Sequence, residues 1–185
     1  MKFDISQKES LFFRTFLALV MIIMAAAVRI APHPWNFTPI GAMALFSGAV
    51  IRDRRLALFF PLFALFVGDI FVGFHKLMFM VYASFLLSVA IGFWLRGRRT
   101  VGPISLATLS GSAQFFLITN FAVWQFLGSY PHTAAGLVSC YVAGIPLFWN
   151  TLAGDAFYAV LFFGGFALAE LLFPELRRSP IELKH

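Results

Sequence analysis

Charge is what this sequence has least of: 12% of its 185 residues are Asp, Glu, Lys or Arg, about half the share in soluble domains. Cysteine occurs once, which excludes a disulfide framework within one chain. Neither G-x-x-x-x-G-K-[ST] nor G-x-G-x-x-G occurs, so both signatures of a nucleotide-phosphate cradle are missing and no ATPase is read in this sequence. H-x-x-x-H, C-x-x-C and H-E-x-x-H are missing as well, which leaves no metal site with ligand spacing. No nucleophile–base pair stands out for covalent catalysis. Together these absences weigh against an enzyme.

What is present is apolar. Hydrophobic residues make up 61%, aromatics 18% with 25 Phe, and the mean hydropathy is +0.86. A soluble sphere of this size cannot hide so much apolar surface. The sequence therefore predicts an integral membrane protein. Its spans are helices, because the apolar stretches are long runs rather than alternating ten-residue strands. One all-α domain of six spans is expected, at 11–31, 38–51, 56–74, 77–95, 101–127 and 148–173. Ala25-Ala26-Ala27 has the small residues of a signal-peptidase site, but Asp4 and Glu9 precede it, so 11–31 reads as a span. Residues 41–51 are too few to cross about 30 Å of hydrocarbon unaided. They extend back to 38, tilt, or form a half-helix buried among their neighbours. Residues 128–147, polar and punctuated by Gly and Pro, read as an interfacial loop with room for a short helix.

Six crossings place Lys2, Lys8, Arg14, Arg52, Arg54, Arg55, Arg96, Arg98, Arg99, Arg177, Arg178 and Lys184 on one side, 12 of the 14 basic residues. Arg29 and Lys76 fall on the other. The positive-inside rule then puts both termini in the cytoplasm, with the chain in an inner membrane. The same asymmetry explains the net charge of +6 and pI near 10.0 without a nucleic-acid partner.

The remaining polar side chains gather toward the outer side: Asp69, Asp155, Tyr82 and Asn120 on the spans, and Arg29, His33, Trp35, Asn36, His75 and Asn150 in or beside the outer loops. A carboxylate within hydrocarbon must face a cavity or a partner. Two readings stay open for Asp69 and Asp155: they line a pocket open to the outside, or they cap helices or pair with Arg29. Aromatic and amide residues at the same level are the mixture around a small organic ligand. On the pocket reading the two aspartates bond the substrate, Asn120, Asn150 and Tyr82 orient it, and His33, Trp35 and His75 close over it. The run Pro61…Gly68-Asp69-Ile-Phe71 is echoed by Pro146…Gly154-Asp155-Ala-Phe157, and interrupted segments in corresponding places mark binding sites in transporters. Three prolines between 32 and 39 stiffen the loop that displays His33, Trp35 and Asn36. Ala44 and Gly48, four apart, offer a close-packing face to an internal helix or to a partner subunit. Glu170 lies where Arg177 or Arg178 could pair with it. His33, His75, His132, Asp69, Asp155 and Cys140 could converge on an ion, but no metal site is assigned.

Residues 29–41 (R-I-A-P-H-P-W-N-F-T-P-I-G), 67–75 with Gly68-Asp69, Tyr82, and 150–158 (N-T-L-A-G-D-A-F-Y) resemble an uncharacterised bacterial family of small transport proteins, across nearly the whole of 29–173. Its plan is in turn similar to the substrate-binding S-components of energy-coupling-factor transporters. That similarity implies a six-helix subunit that captures a vitamin-like micronutrient outside and docks on a membrane scaffold with two ATPases. A cobalt-containing corrinoid is one substrate it allows, for which His33, His75 and Cys140 would be candidate ligands. Two other classes fit the sequence: a membrane-embedded enzyme acting on a lipid or quinone, and a structural subunit of a membrane complex.

Overall fold

The protein's structure is a computed structural model. It describes the backbone of residues 2–30, 34–173 and 176 and, within these, the side chains of all but 2–10, 25, 26, 28–30 and 72. The described residues are helical, in the order α1 (Lys2–Ile30), α2 (Ile40–Val50), α3 (Arg54–Val72), α4 (Met78–Trp94), α5 (Val101–Phe126), α6 (Ala134–Ala159), a π-turn (Val160–Gly164) and α7 (Gly165–Leu172). Two of these rods are long and apolar enough to cross a membrane: Val101–Phe126, and the continuous Ala134–Leu172.

The shortest apolar segment sits at the centre. All eleven residues of α2 are buried, and α1, α3, α4, α5 and α6 all pack on it. Its length, about 16 Å at 1.5 Å per residue, makes it a half-helix, one of the three forms its sequence allowed. Burial on every side explains its composition, since I-G-A-M-A-L-F-S-G-A-V carries no charge and three alanines with two glycines. A buried helix must still satisfy the backbone groups at both ends. Its own sequence offers no side-chain cap at the start, no acid in the first turn and no base in the last. Distant residues supply both. At the N-terminus the Ala42 N–H donates to Asp155 Oδ1 of α6 at 3.1 Å. At the C-terminus Arg96, just past α4, donates to the Gly48 carbonyl at 2.9 Å and the Ile51 carbonyl at 2.7 Å. An anion at the first turn and a cation at the last also match the helix dipole.

Close packing holds α2 against α4. A Cβ on Gly48 would lie 2.2 Å from the Val89 carbonyl oxygen, and one on Gly92 would lie 2.3 Å from that of Leu45. The small-residue face therefore serves an internal pair rather than a partner. On the other flank Phe46 meets the rings of Phe162, Phe163 and Phe166, with centroids 5.4–5.5 Å away. Phe162 and Phe163 are consecutive and both buried. The π-turn that contains them widens the helix locally where both rings meet one partner.

The ends of the rods carry different chemistry. Arg96 on the α2 terminus, and Arg54 over the Phe93 ring at 5.8 Å, place the loops around 51–53 and 95–100 together. At that end Glu170 accepts from Arg14 at 2.8 Å and from Arg99 at 3.1 Å, and both guanidiniums lie over the Phe166 ring. Arg14 also donates to the Leu176 carbonyl. Arg177 and Arg178, the partners the sequence suggests for Glu170, lie outside the described residues; within them Arg14 and Arg99 pair with it.

One expectation is overturned. Most of residues 128–147 are helix, because α6 starts at Ala134 with the Thr133 hydroxyl accepting the Gly136 N–H at 3.1 Å. The glycines that read as breakers are contact points: a Cβ on Gly136 would lie 2.1 Å from the Pro131 carbonyl oxygen, and one on Gly144 would lie 2.4 Å from Asn120 Oδ1. Pro61 and Pro146 lie inside uninterrupted helices, so neither segment is broken as the echoed motif suggested.

The outer surface is apolar. Phe59, Phe63, Phe66 and Ile70 form an exposed stripe on α3, while Asp69, Ser84, Ser88, Ser112 and Asp155 are among the buried side chains. Contiguous exposed apolar faces are rare on soluble monomers.

Candidate functional site

A cavity of about 370 Å³ opens at the end opposite the basic loops, above the N-terminus of α2. Its position follows from the half-helix: where α2 stops, α4, α5 and α6 continue and leave a space between them. The floor is Gly41 and Asp155. The walls are Val81, Phe85 and Ser88 of α4, Gly111 and Phe115 of α5, and Thr151 of α6, and the rim is Trp35, Asn36, Thr38 and His75. Phe85 and Phe115 stack with ring centroids 5.1 Å apart. Trp35 is 83% exposed.

Asp155 is buried, and each of its carboxylate oxygens accepts one hydrogen bond. One oxygen takes the Ala42 N–H, and the other accepts the Ser112 hydroxyl at 2.7 Å. Asp155 thus both caps a helix and lines a cavity. The helix it caps is α2 rather than its own. Gly41 is required beside it: a Cβ there would fall 2.2 Å from Asp155 Oδ1. The neighbouring Gly154 lets the rim loop approach, its Cβ position lying 3.1 Å from Phe37 Cα. Asn150 donates to the Trp35 carbonyl at 3.0 Å, and Phe37 packs on Phe157 and Tyr158. The rim loop is thus seated on α6. Asn36 turns it through φ 61°, a left-handed conformation that asparagine tolerates better than most residues.

The other expected site residues divide. Trp35, Asn36, His75 and Asp155 line the cavity, and Asn150 holds its rim. Asp69 and Tyr82 do not line it: the Tyr82 hydroxyl donates to Asp69 Oδ2 at 2.8 Å, joining α3 to α4. Asn120 belongs to the α5–α6 hairpin, where its amide donates to the Phe116 carbonyl at 2.9 Å and faces Gly144. His33 and the side chain of Arg29 lie outside the described residues. His132 is against Trp124, with ring centroids 5.2 Å apart, and the Cys140 thiol donates to the Asn120 carbonyl. Among the described residues no three of His, Cys, Asp and Glu come together. Thr38, Gly41, Ser88, Gly111, Ser112 and Thr151 were missed. Small hydroxyls and glycines on apolar helices resemble packing residues, and only the burial of Asp155 beside them reveals their grouping.

The arrangement sets a stacked aromatic pair, Phe85 on Phe115, beside hydroxyls and a carboxylate, around a space the size of a small molecule. It defines an all-helical protein with a polar-floored cavity at one end of the bundle. Residues 9–176 match DUF6580, a family of unknown function, and the chain belongs to that family. No curated protein and no solved structure matches it.

Proposed function

We propose that this chain is a six-span protein of a bacterial inner membrane, with both termini cytoplasmic, that binds a small vitamin-like solute from the outer face as the substrate-binding subunit of an uptake system. The observation that carries the reading is the cavity: aromatic walls and a polar floor, at the end of the bundle away from the arginines. Membrane embedding is supported by the apolar exterior. It is supported too by the lengths of α3 and α4, which at 19 and 17 residues approach a hydrocarbon core of about 30 Å. Capping of α2 at both ends suits a helix that stops at membrane depth, where no water satisfies backbone groups. The positive-inside rule turns the basic end to the cytoplasm and the cavity outward.

The ligand chemistry follows from the lining. Asp155, already offset by the α2 dipole, keeps lone pairs for a donor, so a neutral or weakly basic ring with N–H groups fits best. The volume lies near the lower end of the range for drug-sized ligands, which favours a molecule smaller than a corrinoid. No nucleotide signature occurs in the chain, so energy for uptake would come from a scaffold with ATPases or from an ion gradient.

Native mass spectrometry of the protein in mild detergent, after exposure to a mixed vitamin pool, tests this. A stoichiometric adduct is expected, and it should be lost in Val81→Trp, which fills the cavity without touching the Asp155 bonds. Wild-type protein that takes up nothing, or an adduct that persists in Val81→Trp, would sink the reading and favour a lipid-facing enzyme or a structural subunit.

A further inference from the structure

A second concavity lies on the opposite half of the molecule, along the seam between α5 and the rod of α6, π-turn and α7. It encloses about 610 Å³, and its lining runs from Arg99 and Thr100 at the basic end to Leu109 on one side, with Leu152, Ala156 and Ala167 on the other. We propose that this groove binds one anionic phospholipid of the cytoplasmic leaflet, with an acyl chain in the trough and the phosphate at Arg99.

Three observations point to that occupant. The first is polarity along the groove: the trough is apolar, and its lining cation sits at one end, as a lipid's own asymmetry requires. The second is length. From Val101 to Leu109 α5 rises about 12 Å, and with Arg99 and Thr100 ahead of it the groove approaches one leaflet of a core about 30 Å thick. The third is electrostatic. Arg99 and Arg14 share the Glu170 carboxylate, and the Arg99 side chain keeps 22% of its surface exposed. Arg98, the adjoining residue, lies over Trp94 at 5.3 Å. The Thr100 side chain makes no capping bond to α5, which leaves the Val101 and Gly102 amides of that helix for a phosphate, Pro103 having none. The π-turn contributes shape, because Gly164 faces open space with nothing within 4 Å of its Cβ position.

The inference rests on the membrane reading but not on the solute cavity. The test is native mass spectrometry of the detergent-solubilised protein with equimolar phosphatidylglycerol and phosphatidylcholine of identical acyl chains. Phosphatidylglycerol should be retained about fivefold over phosphatidylcholine, the ratio that one basic side chain near a lipid surface supplies. Ala156→Phe with Ala167→Phe, which fills the trough, should reduce retention of both lipids. Arg99→Gln should abolish the preference and leave the chain-dependent retention. Since Arg99 also braces Glu170, Glu170→Gln is the independent check, and it should raise the preference for the anionic lipid. Equal retention of the two lipids, or retention unchanged by the filled trough, would overturn the proposal. So would a second copy of the chain held at the groove and lost in the double variant, which would seat a helix there. A protein that fails to float with liposomes refutes membrane embedding itself, whereas an embedded protein without lipid preference refutes only this site.

Discussion

Asp155→Ala is expected to lower the unfolding free energy by about 3 kcal/mol, the sum of a lost helix cap and a buried donor left without its acceptor. For a chain of this size that is a fall of about 6–12 °C in the melting temperature in detergent. Ser112 can turn to a carbonyl of its own helix, so most of the loss falls on the Ala42 amide at the start of α2. Gly41→Ala strikes the same contact from the other side. Alanine is about 1 kcal/mol better than glycine within a helix, yet its methyl would displace the carboxylate, and a net loss of stability is expected. Once the carboxylate is gone the methyl has room. The double variant should therefore be less destabilised than the two single losses added together. Strict additivity in thermal melts would show that Asp155 does not hold α2. Because Asp155 supports the fold, loss of binding in its variants alone would not locate the solute.

The second large effect lies at the crossing of α2 and α4. Overpacking a core costs about 1–3 kcal/mol, occasionally more, and at Gly48 the obstacle is the Val89 carbonyl oxygen at 2.2 Å rather than a side chain that could swing away. Gly48→Ala should lose about 2 kcal/mol after its gain in helix propensity, and Gly48→Val should give little folded protein. Gly92→Ala should behave like Gly48→Ala. Separating the two helices to admit one methyl admits the other, so Gly48→Ala with Gly92→Ala should cost less than the sum. Size-exclusion profiles and melts of the four proteins decide this. Wild-type stability in Gly48→Val would mean that α2 and α4 are not in contact there.

Helices, rather than their connections, were what the sequence conveyed. The runs at 56–74, 77–95 and 101–127 match α3, α4 and α5 closely, because continuous apolarity flanked by charge or glycine admits little else. The start of α6 was hidden because Gly136, Gly144 and Pro146 look like loop chemistry, while two of them are surfaces for Pro131 and Asn120. Gly144 takes its meaning from Asn120 on α5, and Gly136 from the chain folding back just before its own helix. The site was partly legible for the same reason. An aspartate in an apolar run stands out whatever its surroundings, Trp35 and Asn36 stand out in their proline-rich loop, and His75 in the separate connection between the 56–74 and 77–95 runs. Asp69 stood out equally, yet it bonds Tyr82 away from the cavity. Nothing local distinguishes the two aspartates; one meets the start of α2 and the other a tyrosine hydroxyl on α4. The dependence of α2 on Asp155 and Arg96 links residues 113 and 48 positions apart, a relation no local pattern encodes.

The central claim is that a cavity rimmed by His75 faces outward and takes up a solute. Its most direct test is maleimide labelling of His75→Cys in intact cells, with Arg98→Cys as the control and Cys140 replaced by serine in both. The account predicts that a membrane-impermeant maleimide labels position 75 from outside, more slowly when the solute found by mass spectrometry is present, and reaches position 98 only after permeabilisation. Labelling of position 98 in intact cells, or a rate at position 75 that the solute leaves unchanged, would contradict it.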